Sequence, residues 1–189
     1  MEGLAPLRRG SVRTLQVNVT RRCNLACHHC HVESGPKRTE ALSAAGADRV
    51  LEVLALNPQV EVLDLTGGAP ELSEHFRPLV RGARELGRAI LIFPEGHRSR
   101  DGEIGHFTGA GTMAALEERR MPVYLVINDG LWKARRLVDF VFRIHRLRGK
   151  LRVVGPITPP ERDDEIEAFV HSLRDRLVDE LARMREARP

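Results

Sequence analysis

The sequence predicts an α/β fold in which strands and helices alternate around a largely parallel sheet. Two observations predict it. Short apolar or alternating runs recur at residues 15–20, 60–65, 89–93, 123–127 and 151–154, and stretches of helical periodicity fill the intervals between them. A composition of 42% apolar and 30% charged residues is that of a globular protein, so the elements should pack.

Taken in order, residues 15–20 (Leu-Gln-Val-Asn-Val-Thr) alternate as a half-buried strand does and run straight into three cysteines. A helical pattern opens at Thr39 and continues to about Ala55. Residues 60–65 read as a second strand that ends in Thr66-Gly67-Gly68, and a second helix follows over about 73–86. Ala89-Ile-Leu-Ile-Phe93 has the character of a strand buried on both faces, stopped by Pro94. Beyond it the pattern predicts a helix over 111–119, a strand over 123–127, a helix over 132–147 and a strand over 151–154. Ile166, Phe169, Val170, Leu173, Leu177, Leu181 and Met184 mark one face of a long C-terminal helix. No internal repeat or low-complexity segment interrupts the chain, and neither loop, 32–37 or 155–162, resembles a flexible linker.

A chain of 189 residues has room for one domain or two small ones. The net charge is +4, and all but three of the 30 basic residues are arginine, the exceptions being Lys37, Lys133 and Lys150. That balance favours anionic ligands. The arginines are spread along the chain and offset by 26 acids, with no zinc-finger or helix-turn-helix pattern, so nucleic-acid binding is not expected. Residues 1–13 have no signal-like apolar stretch and the run at 89–93 is too short to span a bilayer. The expectation is a cytoplasmic protein without a transmembrane segment.

Three cysteines within eight residues are not a disulfide framework, and metal ligation is their natural use. Cys23-Asn-Leu-Ala-Cys27-His-His-Cys30 lets a short loop present three thiolates to a [4Fe-4S] cubane and leaves one iron open for chelation. Two alternatives stay open: a zinc site with His28, His29 or His31 as a fourth ligand, and a loop that binds no metal.

This spacing after a strand, with Gly67-Gly68-Ala69-Pro70-Glu71 at the end of the next strand, resembles the radical S-adenosylmethionine (SAM) family. Cys30-His-Val-Glu-Ser-Gly-Pro36 and Leu63-Asp-Leu-Thr-Gly-Gly-Ala-Pro-Glu-Leu72 look like its arsenosugar-biosynthesis branch. The resemblance covers about residues 13–88. It implies that Cys23, Cys27 and Cys30 ligate the cluster, that SAM chelates the open iron, and that reductive cleavage yields a radical that abstracts hydrogen from a small-molecule substrate. It also implies that Gly67, Gly68, Ala69, Pro70 and Glu71 bind SAM. The glycines allow close approach of the methionyl ammonium, a donor-only group that needs acceptors. The wider family often has Glu where this chain has Ala69, so a carboxylate would have to come from Glu71.

The second half points elsewhere. Ala89 to Gly105, with Phe93-Pro-Glu-Gly-His-Arg-Ser99 at its centre, resembles the phosphate-binding block of glycerophospholipid acyltransferases, and similarity continues to about residue 187. A turn at Gly96 with Arg98 beside it offers a guanidinium fork for a phosphate. By that resemblance Glu95, Gly96 and Arg98 would bind a phosphate-containing or lysophospholipid ligand. The bland alternative is a surface turn in which Glu95 and Arg98 pair with each other or with water. The family's general base, a His followed five residues later by Asp, is missing: His28 with Glu33 is the nearest match, and His97 has Asp101 four positions on. Residues 132–148 mix aromatic and basic side chains and suit either core packing or peripheral contact with an anionic membrane.

The expectation is therefore a hybrid: a partial radical SAM barrel over residues 1–88 joined near Arg88 to a partial acyltransferase α/β unit over 89–189, packed together. Radical SAM chemistry is the leading function. Acyl transfer in phospholipid biosynthesis and a non-catalytic fusion remnant are the alternatives.

Overall fold

A computed structural model describes residues 10–26, 30, 32–96, 99, 101–133 and 148–186, and the chain divides into two compact units, Met1–Ile92 and Phe93–Pro189. In the first, β1 (Thr14–Thr20), β2 (Val62–Gly67) and β3 (Ala89–Leu91) form a parallel sheet in the order β1-β2-β3. Gln16 lies opposite Asp64, and Asp64 opposite Leu91. Helices α1 (Ala44–Leu56) and α2 (Phe76–Glu85) supply the two crossovers that parallel neighbours require. The alternation read in β1 is real: Leu15 and Val17 are half-buried and Val19 is buried, while Gln16 and Asn18 are exposed. Val19, Leu54, Leu63, Phe76, Leu79 and Val80 are almost wholly withdrawn from water and make the core of this unit.

Three sequence expectations need correction here. Helix α1 begins at Ala44 rather than Thr39, with Ser43 as its N-cap; the Ser43 hydroxyl accepts from the Gly46 amide at 3.1 Å. Residues 40–42 are instead extended, because they pair with the end of β1 through Arg21 N to Glu40 O and Leu42 N to Val19 O, both 2.8 Å. Likewise α2 starts at Phe76, after a turn in which the Ser73 hydroxyl accepts from the His75 amide. Among the described residues the run at 89–93 is an edge strand and not one buried on both faces: β3 pairs there only with β2, Ala89 is exposed, and Phe93 is 65% exposed. This pairing also keeps β3 in the first unit. Arg88, read as the join, caps α1 by donating to the carbonyls of Leu54 (3.1 Å) and Pro58 (3.3 Å).

In the second unit β4 (Val123–Asp129) and β5 (Lys150–Ile157) pair antiparallel, so among the described residues parallel pairing is confined to the first. Its described α-helices are α3 (Ala110–Glu118) and α4 (Ile166–Glu186), with 3-10 turns at Leu131–Lys133 and Asp163–Glu165. The predicted apolar face of α4 is the packed one: Ile166 and Val170 cluster with Leu116, and Leu181 and Met184 with Ile127. Of the helix expected over 132–147, residues 134–147 lie outside the described residues. Among the described residues no helix is long and apolar enough to cross a membrane.

Candidate functional site

The segment from Arg21 to Ala41 leaves the C-terminal end of β1 and returns beside it. Its base is closed by backbone pairing. Gly35 N donates to Arg21 O at 3.0 Å and Cys23 N to Gly35 O at 3.2 Å, with an isolated bridge between Thr20 and Ala41. Cys23 and Cys30 are half-buried free thiols on this loop. Each sulfur accepts from a backbone amide, Cys23 Sγ from Leu25 N at 3.4 Å and Cys30 Sγ from Ser34 N at 3.3 Å. Amides aimed at sulfur favour the thiolate, and the Cys30 pKa is accordingly lowered, chiefly by the Ser34 amide, with burial opposing and the Val32 amide adding to the effect. Cys27, His28, His29 and His31 lie outside the described residues, and so does the zinc alternative that rests on those histidines.

A guanidinium clamp that the sequence reading did not single out holds the loop. Arg38 donates from Nε to Glu33 O at 2.9 Å and from Nη2 to the Glu33 carboxylate at 3.0 Å. Arg21 donates from Nε to Val32 O at 2.9 Å. Both arginines also meet Glu40, Arg38 at 3.2 Å and Arg21 at 3.4 Å. Glu33 sits at φ 53°, a left-handed conformation that a residue other than glycine adopts only at some cost. The two arginines hold it there. The Glu40 carboxyl is pulled below its ordinary pKa by its own amide first, then by the Thr39 amide and the charge of Arg38.

The glycine-rich segment meets the same backbone. Gly68 N donates to Thr20 O at 2.6 Å and Ala69 N to Arg22 O at 2.8 Å, so the end of β2 is laced to the residue preceding Cys23. A Cβ at Gly67, where φ is +119°, would lie 2.5 Å from Thr20 O, and one at Gly68 would lie 2.1 Å from Arg22 O. Both distances are impossible, so in this structure glycine is demanded by the chain's own carbonyls. Ala69 is buried, and a carboxylate at that position would be largely out of water. Pro70 and Glu71 stand half-buried on a 3-10 turn, Pro70–Leu72. Beside this crossing opens a cleft of about 440 Å³ lined by Thr20, Arg22, Arg38, Thr39, Ser73 and His75, within the size range of small-molecule sites. Neither described cysteine lines it, and neither does any residue from Gly67 to Glu71.

The residues present suit an iron-sulfur cluster. Two thiols on one loop carry amide donors, the loop is braced from outside, and the Ser34 hydroxyl is buried with no partner among the described residues.

In the second unit the Glu95 carboxylate accepts from the Gly105 amide at 2.7 Å, so it closes its own loop. Gly96, at φ +67°, makes the expected turn, its amide donating to Phe93 O at 3.1 Å. His97 and Arg98 lie outside the described residues. Buried Asp129 accepts from Trp132 Nε1 at 3.1 Å and pairs with Arg185 at 3.3 Å. Arg185 also donates to Gly102 O (2.6 Å) and Glu103 (2.7 Å). Its pKa is raised, by Asp129 first and Glu103 second. This network ties loop 102–105 to α4.

Comparison with known proteins gives the following. The family model described as Radical SAM superfamily matches residues 17–173. The sporulation killing factor maturation protein SkfB of Bacillus subtilis is 33% identical over 101 residues, 53% of this chain and 24% of that protein. A probable GTP 3',8-cyclase of Methanopyrus kandleri is 33% identical over 81 residues, covering 43% and 26% of the two chains. The pre-heme d1 synthase of Dinoroseobacter shibae is 38% identical over 80 residues, covering 42% and 20%. This chain thus spans about a quarter of the length of these curated relatives. No solved structure gives a significant match.

Proposed function

Because this chain belongs to the radical SAM superfamily, whose members use a [4Fe-4S] cluster and SAM, we propose that Cys23, Cys27 and Cys30 hold that cluster. We propose further that the strand end Gly67-Gly68-Ala69-Pro70-Glu71 receives the methionyl end of SAM. When bound, this pair supplies reductive C–S cleavage and hence hydrogen abstraction from a substrate. The chain's own residues do the positioning. Arg21 and Arg38 fix the turn that follows Cys30, and the amides of Leu25 and Ser34 stabilise sulfur charge. The observation that carries the reading is the lacing of Gly68 and Ala69 to Thr20 and Arg22, which joins the proposed SAM segment to the root of the cysteine loop.

The motif resemblance supports placing the protein near the arsenosugar-biosynthesis branch, acting on a small-molecule substrate in the cytoplasm. Iron and sulfide analysis with EPR after anaerobic reconstitution tests the cofactor assignment. A reducible [4Fe-4S] signal that changes on adding SAM and is lost in Cys27→Ala is the expected result. Bound zinc, or no metal, would sink it.

The acyltransferase resemblance of residues 89–187 carries the competing reading, lysophospholipid binding at Glu95, Gly96 and Arg98. It is the poorer one. The family match runs through residue 173, and Glu95 is engaged by Gly105. An assay with lysophosphatidate and acyl-CoA that forms no product would dispose of acyl transfer.

A further inference from the structure

We propose that Ser34 is a hydrogen-bonding residue that tunes the cluster through the sulfur of Cys30, with both its amide and its hydroxyl serving the metallocentre. The inference rests on the cluster assignment above and adds a residue beyond the three thiolates.

The turn after Cys30 allots its donors narrowly. Glu33 N donates to Cys30 O at 3.0 Å and Gly35 N to Arg21 O at 3.0 Å. The amide between them, Ser34 N, meets Cys30 Sγ at 3.3 Å. The left-handed Glu33, φ 53°, turns the chain so that this amide faces back to the sulfur. Ser34 Oγ, on the same residue, is buried and has no partner among the described residues. A buried hydroxyl left unpaired is disfavoured, so a role that gives it an acceptor accounts for it. The sulfurs of a cluster are such acceptors, and one-electron reduction increases the negative charge they carry. Donors at those sulfurs therefore stabilise the reduced state and raise the reduction potential.

The test is potentiometric titration of the reconstituted full chain, followed by EPR, in wild type and Ser34→Ala, with iron and sulfide measured in both. In the variant the ratio of reduced to oxidised cluster at a fixed potential should fall by about tenfold, which is about 59 mV for one electron. Ser34→Thr, which keeps the hydroxyl, should stay near wild type. An unchanged potential in a fully loaded Ser34→Ala protein overturns the inference and leaves the cluster assignment standing. A wild-type chain that takes up no cluster overturns both. If Ser34→Ala fails to load, the near-isosteric pair Ser34→Thr and Ser34→Val decides. A loaded Thr variant with an empty or lower-potential Val variant supports the hydroxyl's role; equal behaviour of the two overturns it.

Discussion

Arg38 grips Glu33 twice, through the backbone carbonyl at 2.9 Å and the carboxylate at 3.0 Å, and so holds a left-handed residue three positions past Cys30. The Arg38 side chain is partly exposed, and as an ion pair it is worth only about 1 kcal/mol or less to global stability. Its greater effect should be local. Arg38→Ala is expected to leave the melting temperature within a few degrees of wild type while lowering iron per chain after reconstitution. Iron analysis beside a circular-dichroism melt separates the two effects, and full iron occupancy would rule out the clamp.

Gly68→Ala should be far more damaging than Gly87→Ala. The first places a methyl 2.1 Å from the Arg22 carbonyl, whereas the second, at φ +74°, meets nothing within 4 Å. Overpacking against fixed backbone predicts a loss of about 3 kcal/mol at Gly68. Left-handed strain alone predicts about 1–2 kcal/mol at Gly87. Denaturant unfolding of the two variants measures the difference.

Arg185→Leu should destabilise the second unit by about 2–3 kcal/mol, at or below the low end for a broken buried pair because the arginine is partly exposed. Asp129, 3% exposed, would lose its guanidinium partner. Trp132, bonded to Asp129 and in contact with Gly102, reports the loss as a change in fluorescence during urea unfolding.

Acidification should remove the contribution of Glu40. Its folded pKa lies below the ordinary value, so its stabilisation is present at neutral pH and is lost as pH falls from the unfolded value, roughly 4.3, through the lower folded one. Wild type and Glu40→Gln should differ in melting temperature at pH 7 and converge toward pH 3. A difference that persists at pH 3 would contradict this assignment.

Local pattern revealed β1, the end of β2 and the packed face of α4, because their side-chain periods survive unaltered in the fold. It misplaced the start of α1, since residues 40–42 answer to Val19 and Arg21 rather than to helical propensity. The edge character of β3 was hidden because a run of apolar residues does not say how many neighbours a strand has. For the site, cysteine spacing and the glycine pair were readable as motifs. The Arg21–Glu33–Arg38–Glu40 network was not, since nothing in an arginine-rich sequence distinguishes the two guanidiniums that fold back on one turn. The carbonyls that exclude a Cβ at Gly67 and Gly68 belong to residues more than forty positions away and appear only once β1 and β2 are paired.

That pairing makes correct alignment of two strands a condition for any chemistry here. A slip of β1 by one residue would carry the root of the cysteine loop about 3.3 Å along the sheet. It would also exchange the strand's inner and outer faces and set side chains where the two glycines now admit only bare backbone. A loop displaced in this way would no longer hang from the Thr20 and Arg22 carbonyls that the Gly68 and Ala69 amides now hold.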